Sequence, residues 1–431
     1  MINNVIQKQK IFIITHQAVI DVVGGAITVF VNFCNMLDNN GYEVYGICYS
    51  KKCGYPIGLN DNVNFINLDK YYTGKKNFSE AINCFLGQKK PNLIFFFFSF
   101  LYIESKLLPK YNNIPRILMF HSRPDYYILP EQDLDALKFV YINTTSQILF
   151  DSFYTLLPDF IREGNVVTIP NAVPDVTQRI DTNIEKKKII YLSRIDTCKG
   201  LEFLIHSFKL IAREYPDWSI DIYGESQPKD YIKELVKLTK KLHIENQIHF
   251  MGITHTPIET FLNYDFCVFP SFYEGFGMGL AEAMSVGLPS IGLKGCTGVN
   301  ELIINNYNGF LCDESYKDFS EKIEQLIINP NLRKTFSQNA LINIKQYNNE
   351  IINQKWLEVV QKILSKELLA KEISTNNYKP KIFPINKIIK MEKNKSFYKW
   401  YQFIFSMKNN YKNGVKKKVI YLFGIKITLK I

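Results

Sequence analysis

Two carboxylates, Glu274 and Glu282, bracket a turn with glycine at every second position, Gly275, Gly277 and Gly279. The apolar run 266–270 before the turn reads as a buried strand, and residues 280–284 after it read as a helix. A glycine-rich turn between strand and helix leaves bare backbone N–H groups at a helix N-terminus, where an anion binds well. Carboxylates repel phosphate and accept hydrogen bonds from hydroxyls. A ligand offering both a diphosphate and hydroxyls, as a nucleotide sugar does, suits the whole set.

Other residues suit the same ligand. Arg194 and Lys199 follow a strand-like run, 188–192, and precede a helix-like one. Arginine grips a diphosphate through two parallel hydrogen bonds, and lysine adds a point charge. Cations fixed there stabilise the charge that builds on a departing diphosphate. Gly24 and Gly25 lie between a strand and a helix and form a second phosphate-approach loop, although a bare Gly-Gly also fits a plain turn. His121 follows the run 116–120, a placement that by itself assigns it no role.

The segment 270–289 closely resembles the Glu-(seven residues)-Glu motif of glycosyltransferase family 4, retaining enzymes of the GT-B fold. Pro270-Ser271, Glu274-Gly275, Gly277, Glu282-Ala283 and Gly287-x-Pro289 carry the likeness, which extends over roughly residues 10–365. The resemblance implies that Arg194 and Lys199 hold the leaving diphosphate. It assigns Glu274 to hydroxyls of the transferred sugar, and Glu282 to the ribose diol. Gly275, Phe276, Gly277, Met278 and Gly279 would lend donor contacts, the last three through backbone. The resemblance also places Gly24-Gly25 against the donor and His121 near the reaction centre, where it would orient and polarise. Glu301, after a glycine-rich turn, is a weaker candidate that a helix-start carboxylate explains almost as well. Gly224-Glu225-Ser226 departs from the Gly-x-Gly often found in the family at that place, which puts the local phosphate- or base-side loop in doubt.

Around these residues strand and helix patterns alternate, which argues an α/β architecture with parallel sheets. Strands are expected at 10–15, 43–48, 92–98, 116–120 and 165–170, with a helix over 26–39. After a polar linker the pattern restarts, with strands at 188–192, 218–224, 249–252 and 265–270 and helices over 200–214 and 230–242. The expected organisation is two Rossmann-like domains, 1–172 and 173–347, facing across a cleft that holds the ligand at the carboxyl ends of the strands. A helix over 348–365 carries Trp356 and, by the resemblance, crosses back to complete the first domain. A tail follows over 366–431.

The chain has 431 residues and a net charge of +11. Residues 376–431 hold fourteen lysines and one acid, a charge of +13, so the first 375 residues sum to −2. A slightly acidic body with no recognised binding module disfavours nucleic acid. Eight cysteines, with no Cys-x-x-Cys, read as free thiols of a reducing cytoplasm and not as a zinc site. No signal peptide is visible, and the longest apolar run, 93–103, is too short to span a bilayer. The tail interleaves Lys with Trp and Tyr, a composition suited to an anionic membrane surface and a peripheral location on it, or to a small basic unit packed on the body or on a protein partner. Its Leu-Phe-Gly-Ile ending resembles the ends of bacterial surface-polysaccharide transferases.

The expected reaction is transfer of a hexose-type sugar, with retention, from a nucleotide-diphosphate sugar to a glycan or glycolipid acceptor. No metal or other cofactor is expected, because the cations and helix dipoles take a divalent ion's place. Asp133-Leu-Asp135 has no strand before it and is not read as a metal site. The alternatives are a nucleotide-sugar epimerase of the same fold and a non-catalytic scaffold subunit of a glycan assembly complex.

Overall fold

A computed structural model describes residues 8–16, 25–50, 54–97, 106–107, 109–111, 113–121, 141–144, 166–368, 405–412, 415–422 and 425–430. Two α/β lobes and a small separate sheet make up this part of the chain.

The first lobe holds β1 (Lys10–His16), β2 (Glu43–Tyr49), β3 (Asn64–Asn67), β4 (Leu93–Phe96), β5 (Arg116–Phe120), β6 (Tyr141–Thr144) and β7 (Val166–Thr168). All pairs are parallel, in the order β3-β2-β1-β4-β5-β6-β7. A parallel sheet is covered on both faces, so its strands are apolar on both sides. In β1, Ile11 and Ile13 pack with helix α1 (Gly25–Asn39), while Phe12 and Ile14 pack with α3 (Phe78–Lys89) on the other face. A one-turn helix, α2 (Leu68–Tyr71), follows β3.

The second lobe repeats the plan with β8 (Lys188–Leu192), β9 (Ser219–Tyr223), β10 (Ile248–Gly252), β11 (Phe266–Phe269), β12 (Ser290–Leu293) and β13 (Gly309–Cys312), again all parallel, in the order β10-β9-β8-β11-β12-β13. Its helices are α4 (Leu201–Lys209), α5 (Tyr231–Lys241), α6 (Pro257–Phe261), α7 (Met278–Ser285), α8 (Val299–Leu302), α9 (Tyr316–Ile328) and α10 (Pro330–Ile344). The helix expected over 200–214 ends at Lys209, and turns carry the chain on to Pro216.

A last helix, α11 (Asn349–Leu364), is N-capped by the Asn348 side chain. Its apolar stripe Ile352, Trp356, Val360 and Ile363 follows helical spacing and belongs to the core of the first lobe. The Trp356 ring meets Phe33 edge-on at 5.1 Å and Phe95 at 5.8 Å. Both connections between the lobes pass one point, where Val173 pairs with Asn348 and its N–H donates to the Tyr347 carbonyl at 2.8 Å.

Seven cysteines are free among the described residues. No described helix is long and apolar enough to cross a membrane.

Candidate active site

In each lobe the strand order reverses beside the first strand. β2 and β4 flank β1, and β9 and β11 flank β8. Crevices outside the carboxyl ends of strands at such reversals are where open α/β sheets bind ligands. Lys199 follows β8 and Glu274 follows β11, so this reversal brings together two loops far apart in sequence.

The β8 loop is built around Asp196. Its buried carboxylate N-caps the short turn Thr197–Lys199, accepting the Cys198 N–H at 3.0 Å through Oδ1. Its Oδ2 lies 3.2 Å from the Arg194 guanidinium, which also donates to Gln227 Oε1 at 3.4 Å. Half of the Arg194 side chain stays exposed. Gly200 ends the turn at φ 68°, and a Cβ there would stand 2.1 Å from the Pro270 carbonyl oxygen. Only glycine fits so close an approach in the left-handed region. The Phe272 N–H donates to the Cys198 carbonyl at 3.0 Å, so the two loops are joined backbone to backbone.

This contact sets Lys199 Nζ 2.6 Å from Glu274 Oε1, with both side chains nearly buried. Ser271 Oγ donates to the same oxygen at 2.9 Å, and Thr297 Oγ1 donates to the Glu274 carbonyl. Burial pushes the Lys199 ammonium toward neutrality, but the charges of Glu274, Cys198 and Asp196 outweigh it and hold its pKa above the ordinary lysine value. Burial lifts the Cys198 thiol to about 12, with Asp196 and Glu274 adding to the rise and Lys199 opposing it, so it is no nucleophile at neutral pH.

Glu274 opens the glycine turn, and α7 begins after Gly277, which gives the helix no side-chain cap. The first N–H groups of α7 are thus left for another partner. Met278 is partly buried against the core of the second lobe, and Gly279 packs beneath the end of β8, close to the Leu192 carbonyl. The Phe276 side chain is buried and meets the Tyr347 ring at 5.4 Å, so it serves the junction between the lobes and leaves only its backbone to a ligand. Glu282 lies in α7, and burial raises its carboxyl to about 7. Among the described residues its side chain takes no hydrogen bond or ion pair. Glu301 falls in the first turn of α8.

The first lobe contributes His121 at the end of β5. Its ring stacks on Phe97 at 4.8 Å, and burial lowers its pKa to about 4, so it is neutral at physiological pH. Gly25 is the first residue of α1. Gly24, Arg123, Asp133 and Asp135 lie outside the described residues. The departure at Gly224-Glu225-Ser226 resolves into a close crossing of loops. Gly224 has φ 148°, a Cβ there would stand 1.9 Å from the Ser193 carbonyl oxygen, and Ile195 N–H donates to Glu225 O at 2.8 Å. Only the first glycine position is needed for that crossing. No group of three or more metal-ligating side chains occurs among the described residues.

Sequence reasoning did not single out Asp196, Thr297 or Gln227. Asp196 left a readable signal, an N-cap residue ahead of a short turn and two positions after Arg194. Gln227 and Thr297 reach the site only through strand order.

Residues 175–342 match the family model for glycosyl transferases group 1. An uncharacterized glycosyltransferase of Haemophilus influenzae is 24% identical over 340 residues, which is 77% of this chain and 95% of that protein. The poly(ribitol-phosphate) alpha-N-acetylglucosaminyltransferase of Staphylococcus aureus is 29% identical over 45% of this chain, which spans only 39% of that protein. Sucrose-phosphate synthase from Thermosynechococcus elongatus superposes with a TM-score of 0.70 at 18% identity, covering 83% of this chain and all of the other. The second lobe therefore carries a glycosyl transferases group 1 domain, and the chain is a member of the glycosyltransferase superfamily with the GT-B fold.

Proposed function

We propose that this glycosyltransferase moves a hexose-type sugar from a nucleotide-diphosphate sugar to a glycan or glycolipid acceptor, with retention, as family 4 enzymes do. The observation that carries the reading is the 2.6 Å pairing of Lys199 with Glu274 at the reversal of the second sheet. It sets a cation suited to diphosphate beside a carboxylate suited to sugar hydroxyls. The bond to be broken, which joins the sugar to the diphosphate, then lies beside this pair. The name of the S. aureus relative states sugar transfer to a polymer, which favours an acceptor of that class.

Arg194, Lys199 and the uncapped start of α7 stabilise the charge that grows on the departing diphosphate. Glu274 and Glu282 fix the donor through its sugar and ribose hydroxyls. The acceptor hydroxyl approaches from the side the diphosphate leaves and gives its proton to a phosphate oxygen. His121, neutral and held on Phe97, orients the sugar and carries no charge into the reaction. The cations need no divalent ion to help them, and a nucleotide-sugar donor places the reaction in the cytoplasm.

The test is a panel of nucleotide sugars with the full chain, read by release of nucleoside diphosphate and by the anomeric configuration of the product, with and without chelator. An acceptor-dependent product of unchanged configuration, made equally well in chelator, is expected. A sugar isomer formed without acceptor would instead mark an epimerase, and failure to bind any nucleoside diphosphate would mark a scaffold.

A further inference from the structure

The small sheet at 405–430 is not needed for the reaction above. Its strands β14 (Phe405–Lys412), β15 (Val415–Leu422) and β16 (Ile425–Lys430) are antiparallel, with β15 in the centre. The register arranges them in rows. Phe405, Leu422 and Ile425 form the row at one end, and Met407, Ile420 and Ile427 lie two rows in on the same face, while Ser406, Tyr421 and Lys426 form the row between them on the opposite face. At the other end the register gathers Lys412, Lys416, Lys417, Lys418 and Lys430, with Asn409 and Asn410 opposite two of them. The whole segment 405–430 contains seven lysines and no acid. The sheet is therefore polarised along its strands. The β15–β16 end is apolar on one face and carries Lys426 on the other, and the β14–β15 end is basic.

A three-stranded sheet has little core of its own, and six large apolar residues on one face at one end call for a partner surface. The basic end identifies the chemistry of that surface as anionic. The row of Lys418 lies about 14 Å from the apolar end at about 3.4 Å per row. Insertion of the apolar end by about 5–10 Å into the acyl boundary would set the lysines of the basic end at the level of the headgroups, with Lys426 on the opposite face long enough to reach back to them. We infer that this sheet is a membrane-surface wedge, its β15–β16 end inserted into the acyl boundary of an anionic phospholipid bilayer and its β14–β15 end collared on the headgroups. A soluble polyanion would use the basic end and leave the apolar rows idle. A second copy of the chain would bring like charge to like charge.

The full chain should co-sediment with vesicles of phosphatidylcholine and phosphatidylglycerol, and far less with phosphatidylcholine alone. Added salt should weaken the binding, since each lysine is attracted by an interaction that ions screen. Lys416→Glu combined with Lys417→Glu should abolish the anionic preference. Leu422→Asn combined with Ile425→Asn keeps the charge and should weaken binding about tenfold or more. A reading independent of those variants comes from an added tryptophan, measured in a chain whose own Trp218, Trp356 and Trp400 are replaced by Phe. Tyr421→Trp, near the apolar end, should be quenched by lipids brominated in their acyl chains, and Tyr411→Trp, near the basic end, should not. Binding that ignores the Asn pair with Tyr421→Trp unquenched would overturn the wedge, as would equal affinity for single-stranded DNA without vesicle binding.

Discussion

Lys199 and Glu274, 75 residues apart in sequence, form the closest ion pair of the second lobe's ligand edge, 2.6 Å from Nζ to Oε1. Each is the other's counter-ion in a nearly dry site, so neither can be removed alone without leaving a buried charge.

Lys199→Ala or Glu274→Ala should therefore cost about 3–5 kcal/mol of stability in chemical denaturation. Lys199→Met with Glu274→Leu should be milder than either single change. In turnover, Lys199→Ala should raise the barrier by roughly 2–4 kcal/mol. Singles no more destabilised than the double would show that the pair does not act as a unit.

Arg194 offers the opposite balance. Its guanidinium is half exposed, and its pair with Asp196 contributes little to folding. Arg194→Ala should leave the melting temperature within a few degrees while slowing turnover by roughly 2–4 kcal/mol of barrier. Wild-type turnover in this variant would remove Arg194 from the diphosphate site.

Glu282 should set stability against binding. Its folded pKa, raised to about 7 by burial, exceeds the unfolded value near 4.5. The folded state then holds the extra proton between these values, so this group's contribution is fully present below about pH 4.5 and lost as pH rises through 7. Glu282→Gln should match the wild type in acid and be more stable at pH 8, by about 1–3 kcal/mol. It should also bind nucleoside diphosphates more weakly. Thermal denaturation at both pH values, with and without nucleotide, reads the two effects separately.

His121 titrates the other way. Its folded pKa of about 4 lies below the unfolded 6.5, so its contribution is present above 6.5 and is lost as pH falls toward 4. Replacing it with Asn should flatten that acid loss. A pH–rate profile of the wild type should show no acid limb near 6.5 arising from this ring, and an Asn variant that lost such a limb would refute its neutrality.

Gly200→Ala should destabilise the second lobe by about 1–3 kcal/mol and weaken donor binding together, because φ 68° and the Pro270 carbonyl 2.1 Å away exclude a Cβ. Urea unfolding and nucleotide titration of the same variant check both.

Most of this architecture can be read from apolar runs. β5 and β8 have the bounds that their runs predict, and β1, β2, β9 and β11 differ from theirs by a residue at one or both ends. β3 escapes the reading because Asn64 and Asn67 flank only two apolar residues, and β12 because it is four residues long between Pro289 and Lys294. The GT-B fold and the glycine turn were legible. The meeting of Lys199 with Glu274 was not, because it depends on β8 lying beside β11, and no local pattern encodes strand order. For the same reason the sequence assigned the two residues to different parts of the ligand without showing that they touch. The side chain of Phe276 was misleading, since a residue inside a binding motif turns out to pack on Tyr347.

Val173 and Asn348 meet at a single doorway through which the chain enters and leaves the second lobe. In topology that lobe is an insertion, and the helix sealing the first lobe is made after it. On a ribosome, Phe95 waits 261 residues for the Trp356 ring that covers it. At about 5–20 residues per second this is roughly 15–50 s of synthesis. The later-made lobe thus becomes the earlier-finished one, and a nascent chain stalled before residue 349 presents an uncovered aromatic face to chaperones.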